Sequence, residues 1–415
     1  MQQKQQILII GSVWPEPNST AAGNRMLQLI RVFKSQNWEI SFASAASKSE
    51  YSYNLESHGI TQHHIELNNS SFDEFIKNLQ PNIVMFDRFM IEEQFGWRVN
   101  QHCPNALTII DTEDLHCLRF ARQEAYKQNK TFSTNDLFSD TAKREIASIL
   151  RCDASIIISK YEFNLLQSVF KIDKSKLIYT PFLLDEISES HTKKWQSFQS
   201  RQHFVSIGNF LHEPNWNSVL YLKETIWPLI KKQLPKAELH IYGAYPSQKV
   251  LQLHNEREGL IIKGRAENVA SVMSSAKVCL APLRFGAGLK GKLIDAMLNG
   301  TPSVTTEIGA EGMHENLIWP GAIENLPQQF AEKAVELYTN ETTWHTAQQA
   351  IGPIINTCFS YTKHSETLVS YIEYLSKNII QHRQENFIGS ILNYQHNHAT
   401  KYMALWIEEK NKTKS

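Results

Sequence analysis

Three glycines within six residues, followed by a lysine and a carboxylate on one helical face, make positions 281–297 the segment of this sequence best suited to holding a ligand. It reads Ala281-Pro282-Leu283-Arg284-Phe285-Gly286-Ala287-Gly288-Leu289-Lys290-Gly291-Lys292-Leu293-Ile294-Asp295-Ala296-Met297. A strand ends at Pro282, the glycines let backbone amides approach a ligand, and Leu293, Ile294, Met297 and Leu298 then recur at helical spacing. The opening turn of a helix offers unpaired N–H groups and the positive end of its dipole. Such a bend suits a pyrophosphate. Arg284, Lys290 and Lys292 add positive charge where a diphosphate leaving group would develop its own, without a metal. Asp295, three residues past Lys292, shares its face and could accept hydrogen bonds from ribose hydroxyls. The plainer alternative is a glycine-punctuated surface loop with Asp295 as a helix-start charge.

A second group follows the strand Leu107–Ile110. Asp111-Thr112-Glu113-Asp114-Leu115-His116 puts three acids and a histidine at a strand's carboxyl end, where they could orient sugar hydroxyls, hold a leaving group or exchange protons. Capping of the next helix is the structural alternative. Asp87 and Arg88 have the same placement after Ile83–Phe86. Gly11, Gly23 and Asn24 flank the first strand–loop–helix. That loop lacks GxGxxG, which disfavours a nicotinamide or flavin enzyme. The 16 histidines contain no HExxH and the five cysteines no CxxC pair, so no metal site is expected. Nucleophile-elbow, P-loop and kinase signatures are also missing.

The elements that must position these residues alternate. Ile7–Ile10, Glu39–Ala43, Ile83–Phe86, Leu107–Ile110, Ala154–Ile158 and Leu177–Tyr179 read as strands, with a helical period between Gly23 and Gln36. After a polar stretch the pattern restarts at Phe204–Ile207, Glu238–Ile241, Gly259–Ile262, Val278–Ala281 and Ser303–Thr305. The spacing predicts an α/β protein with two doubly wound parallel sheets and ligands at the carboxyl ends of the strands. The expected domains are 1–185, a linker at 186–202, 203–375, and a helical tail at 376–415 packing back on the body through Tyr402, Leu405 and Trp406.

Composition narrows the function classes. Lys+Arg and Asp+Glu both total 42 of 415 residues, so net charge is zero and the broad basic footprint of a nucleic-acid coat is excluded. The longest apolar runs are strand-sized, and Met1–Gln6 lacks the layout of a secretory signal. A cytoplasmic protein with buried, inert thiols is expected, with peripheral contact at an inner membrane face left open.

Several segments together resemble retaining glycosyltransferase family 4, the group 1 glycosyl transferases. Arg284 to Met313 is similar to the family's donor-binding signature, including Gly300-Thr301-Pro302-Ser303-Val304-Thr305-Thr306 and Gly309-Ala310-Glu311-Gly312. Gly208-Asn209-Phe210 with Pro214-Asn215, Ile241-Tyr242-Gly243, and the acids from Asp111 add to the match. The resemblance implies the GT-B architecture, two Rossmann-like halves facing across a cleft. It also implies metal-independent transfer of a hexose from a nucleotide-diphosphate sugar, with retention and no further cofactor. By analogy Gly208 and Asn209 open the donor side, Gly264 and Arg265 border the base, and Asp295 holds the ribose. The amides of Gly286, Ala287, Gly288 and Leu289, with Lys290, Lys292 and Arg284, hold the diphosphate. The acceptor enters from the first half near Gly11, Gly23, Asn24, Asp87, Arg88, Asp111, Asp114 and His116, with Asp111 as a catalytic candidate. Where the family often carries two glutamates eight positions apart, this sequence has Ala287 and Asp295. A glycan, lipid-linked glycan, protein or nucleic-acid base remain open as acceptors. The rival readings are a nucleotide-sugar epimerase of the same architecture and a non-catalytic sugar-nucleotide- or partner-binding homologue.

Overall fold

The computed structural model describes residues 4–412; positions 1–3 and 413–415 of the expected first domain and tail lie outside the described residues. The first half holds β1 (Gln6–Gly11), β2 (Glu39–Ser44), β3 (Thr61–His64), β4 (Ile83–Asp87), β5 (Leu107–Asp111), β6 (Ala154–Ile157) and β7 (Leu177–Tyr179). They form a seven-stranded sheet in the order β3-β2-β1-β4-β5-β6-β7, parallel throughout. The second half repeats the plan with β8 (Gln202–Ile207), β9 (Leu239–Tyr242), β10 (Leu260–Gly264), β11 (Ala276–Ala281), β12 (Ser303–Thr305) and β13 (Gly321–Ile323). Its parallel order is β10-β9-β8-β11-β12-β13. Strand order reverses beside β1 in one sheet and beside β8 in the other. Those are the points where parallel sheets leave a crevice for ligands.

The apolar runs follow from burial on both faces. Leu8, Ile10, Val84, Phe86 and Ile110 join the core on one side of the first sheet; Ile7, Ile9, Ile83, Met85 and Ile109 join that on the other. A strand covered twice has no position to give to water, so alternation disappears. Register sets Asp87 beside Asp111 at the sheet's carboxyl edge.

The expected linker leads into Arg201. This buried side chain donates to Met273 O (3.3 Å), Ala276 O (3.1 Å), Asn299 O (2.7 Å) and Thr301 Oγ1 (2.8 Å). Where the chain returns it lies beside its outward path: Leu184 N donates to Phe359 O and Tyr361 N to Leu184 O, both at 2.8 Å.

Two features of the C-terminal region differ from the sequence expectation. The helix Tyr361–Glu385 belongs to the first half: Leu368, Val369, Ile372 and Leu375 sit in the same core as Ile30, Phe33 and Ile109. Helical spacing revealed that stripe but not which half would cover it. The last helix, Phe387–Lys412, packs on the helices Phe89–His102 and Asp140–Arg151, yet Tyr402, Leu405 and Trp406 point away from the body and are exposed. The inner face is filled by smaller and more polar residues instead.

Candidate active site between the two sheets

A cleft of about 500 Å³ opens where the carboxyl ends of the two sheets face each other. From the second half its wall includes Gly208, Asn209, Arg265, Gly286, Ala287, Gly288, Leu289, Lys290, Lys292 and Asp295. The first half contributes Asn24, Arg88, Glu113, Asp114, His116 and Arg119.

Lys292 lies in the first turn of the helix Gly291–Leu298, and its Nζ donates to Asn215 Oδ1 at 2.8 Å. Gly208 makes this possible, because a Cβ there would stand 2.9 Å from the ammonium and 2.7 Å from the Asn215 amide. Burial draws Lys292 down to about 8. One turn on, burial pushes the Asp295 carboxyl up to about 7, and no hydrogen bond to its side chain is found among the described residues. The residue before this helix, Lys290, supplies no side-chain cap; its carbonyl accepts from Leu293 N at 2.9 Å, and the Gly291 and Lys292 amides line the cleft. A half-buried cation, two amides at the cleft and an uncommitted acid on one helix end form a receptor for an anion attached to a hydroxyl-bearing group.

The glycine loop is fastened to the first half. Gly288, at φ +65°, comes so close that a Cβ would meet Asp114 Cβ at 2.8 Å. Its amide donates to Glu162 Oε1 at 2.7 Å, and the same oxygen accepts from Leu115 N at 3.2 Å. Arg122 donates to Gly286 O (2.9 Å) and grips both oxygens of Glu311 (2.8 and 2.7 Å). Burial, with Asp114 nearby, pushes Glu162 up to about 8. The Gly288 amide, expected to face a diphosphate, is therefore committed to a carboxyl. Lys290 Nζ is also engaged, donating to Ala287 O (3.0 Å) and Gly288 O (2.6 Å), so it braces the loop. Across the mouth, Tyr245 Oη donates to Glu16 Oε2 (2.9 Å), and the Arg265 guanidinium lies 4.0 Å from the Tyr51 ring centroid.

On the first-half wall most charges are answered from within. Fully buried Asp111 pairs with Arg25 at 3.3 Å, and Arg25 also donates to Pro181 O at 2.9 Å. Asp87 Oδ2 accepts from Ser12 N (3.0 Å) and Ser12 Oγ (2.5 Å). Burial disfavours an ionised Asp114, but Arg119 and then His116 more than offset it and hold the carboxyl well below the usual range. Arg88 and Glu113 adopt φ values of 74° and 58°, a costly backbone state for such residues and one that recurs at functional sites. Glu113 lines the cleft, and burial followed by the Asp111 charge raises its carboxyl well above the ordinary value.

Residues 201–340 match the family model described as glycosyl transferases group 1. This stretch, about a third of the chain, is similar to the group 1 glycosyl transferases. An uncharacterized 44.6 kDa protein in the cps region of Klebsiella pneumoniae is 26% identical over 169 residues, 39% of this chain; the match spans 43% of that relative's length. Among solved structures, Anabaena HepE in complex with UDP and glucose superposes with a TM-score of 0.66 at 12% identity, covering 89% of this chain and 99% of that one. A glycosyltransferase from Rickettsia africae gives 0.62 at 15% identity, covering 90% and 99%. The fold is GT-B, as the sequence resemblance implied, and the group is one of transferases.

Several expected residues lie outside the lining of the cleft, each for a physical reason. Asp111 is shielded by Arg25, and Asp87 is held beneath by Ser12. Arg284 stacks between Tyr126 (4.6 Å) and Tyr221 (4.2 Å) while donating to Asn217 Oδ1 at 2.8 Å. Gly11 abuts the Phe42 ring, Gly23 abuts the Glu16 backbone, and the Gly264 carbonyl accepts from Gly243 N at 2.8 Å. Sequence reasoning passed over Glu162, Arg122, Arg119 and the Glu16–Tyr245 contact. Glu162 follows β6 within a few residues, a strand-end placement that was the one available signal.

Among the described residues no group of three His, Cys, Asp or Glu side chains is placed to hold a metal ion, and no helix is long and apolar enough to cross a membrane.

Proposed function

We propose that the chain moves a hexose from a nucleoside-diphosphate sugar to an acceptor, keeping the anomeric configuration and using no metal. One observation carries this reading: the Lys292 ammonium and the uncapped helix start stand one turn from the uncommitted Asp295 carboxyl, a spacing that fits a diphosphate joined to a ribose. UDP in the complex of the similar HepE structure makes uracil the first donor base to test.

In this reading Asp295 accepts from the ribose hydroxyls and Arg265 borders the base. Lys292 and the first-turn amides meet the diphosphate. The sugar C1–O bond breaks with its electron pair going to the diphosphate, and the acceptor oxygen bonds C1 from the same face. The acceptor's proton passes to the departing phosphate oxygen. Charge grows on the diphosphate as the bond breaks, so Lys292 binds the transition state more strongly than the ground state. Arg88 and His116, with Asn24, face this position from the first half and would receive the acceptor, while Asp114 is held by Arg119 and braces the wall. Lys290 and Glu162 hold the loop in shape. The relatives described give an epimerase reading no support.

The test is a panel of UDP, GDP and ADP sugars with the intact chain. A cognate donor should raise the melting temperature by a few degrees at saturation, since it binds only the native state. With an acceptor library, NMR of the product should show the donor's anomeric configuration. Absence of binding across the panel, or an inverted product, would sink the assignment.

A further inference from the structure

The helix Phe387–Lys412 is built inside out. A helix lying on a soluble protein normally turns its apolar stripe inward. Here the inner face carries Gly389, Asn393, His396, Ala404 and Glu408. Asn393 Nδ2 donates to Arg151 O at 3.1 Å, and Ser70 Oγ donates to Glu408 Oε1 at 2.6 Å. The outer face carries Phe387, Ile391, Tyr402 and Trp406 in one line, flanked by Ile388 and Leu405. Phe387 is 70% exposed and Trp406 63%. These residues form two clusters, Phe387, Ile388 and Ile391 at one end and Tyr402, Leu405 and Trp406 at the other, spanning roughly 28 Å with exposed Gln395 between them. Isolated apolar residues on a surface need no explanation, whereas two such clusters on one helix face mark a contact.

Its sequence has a further property. Phe387 and Ile388 lie as far before the point between His396 and Asn397 as Trp406 and Leu405 lie after it. Ile391 and Tyr402 are related in the same way. Two such helices laid antiparallel about a two-fold axis at that point bring each large residue opposite another, as an isologous interface requires. The six side chains expose on the order of 700 Å² per copy, most of the ~800 Å² per partner that a stable protein interface buries. Charge does not favour an anionic lipid surface. The helix carries three lysines against two glutamates, short of the basic cluster such surfaces attract.

We propose that this face binds its counterpart on a second copy of the chain, antiparallel, so that Phe387 of each copy meets Trp406 of the other. Sedimentation of the full chain at low- to mid-micromolar concentration should give twice the 47.7 kDa of one chain. Ile391→Glu combined with Trp406→Glu should return it to one-chain mass with an unchanged circular dichroism spectrum, since both side chains face outward. A double variant, Phe387→Cys with Trp406→Cys, should form an interchain disulfide on mild oxidation that neither single variant forms; the five native cysteines are buried. A wild type at one-chain mass would overturn the proposal, as would a dimer that survives the double glutamate variant. Cross-linking by Phe387→Cys alone would overturn the antiparallel register. Flotation of a monomeric wild type with vesicles of phosphatidylglycerol and phosphatidylethanolamine in equal parts would assign the face to lipid instead.

Discussion

At the end of β5 and at the end of β11 the chain puts charged residues in equivalent places, and their fates differ. Asp111 is met by Arg25 and Asp114 by Arg119, and neither has much charge left to offer a ligand. After β11, Lys292 reaches only an amide oxygen, and Asp295 makes no side-chain hydrogen bond among the described residues. Position at a strand's carboxyl end is therefore shared by structural and receptive groups; unspent hydrogen-bonding capacity separates them. The same contrast explains the first sheet's bracing: its acids fix the backbone that carries Arg88 and Glu113 into the cleft.

The sharpest way to break this comparison is Lys292→Ala. Turnover should fall roughly 100-fold in a variant whose circular dichroism is unchanged, the usual scale for losing one preorganised charge at a leaving group. Unchanged turnover would place Lys292 among the structural groups. Arg25→Met tests the opposite wall. It strands a buried carboxylate and should lower stability by about 3 kcal/mol in denaturant melts, while nucleotide affinity stays within about twofold. A large loss of affinity with little loss of stability would reverse the roles assigned to the two strand ends.

Smaller effects sharpen the picture. Asp295→Asn should raise the donor KM roughly tenfold with kcat little changed, as expected for a charged hydrogen bond made alike in ground and transition states. The pH profile carries the same signature. Below about 7 the Asp295 carboxyl takes up its proton, and above about 8 Lys292 loses its own, so affinity for a nucleoside diphosphate should peak between these values in calorimetric titrations. The acid limb should vanish in Asp295→Asn while the alkaline limb remains.

Much of this was legible in the sequence, for reasons that mark where legibility stops. Runs such as Ile7–Ile10 and Ile83–Phe86 announce strands buried on both faces, because nothing else explains unbroken apolar stretches that end at a glycine or an acid. The edge strand Thr61–His64 gave no such sign. Its residues are polar and partly exposed, and pairing with β2 makes it a strand. Lys292 and Asp295 could be found because their spacing is local. Glu162 could not be linked to the Gly288 amide, since 126 positions separate them and the two halves must meet first. The same holds for Leu368 to Leu375, whose stripe was visible while its destination was not. For the last helix, aromatic content suggested inward packing; the polar sockets offered by Ser70 and Arg151 turned it over.

The two passages of the chain between the lobes run side by side, Leu184 clipped to Phe359 and Tyr361. Such a doubled strap ties the lobes at one place, where a single chain crossing would leave each free to twist about it. Beyond this strap the lobes touch again at Tyr245–Glu16 and at Arg122–Glu311, so three separate clasps hold the cleft to its width.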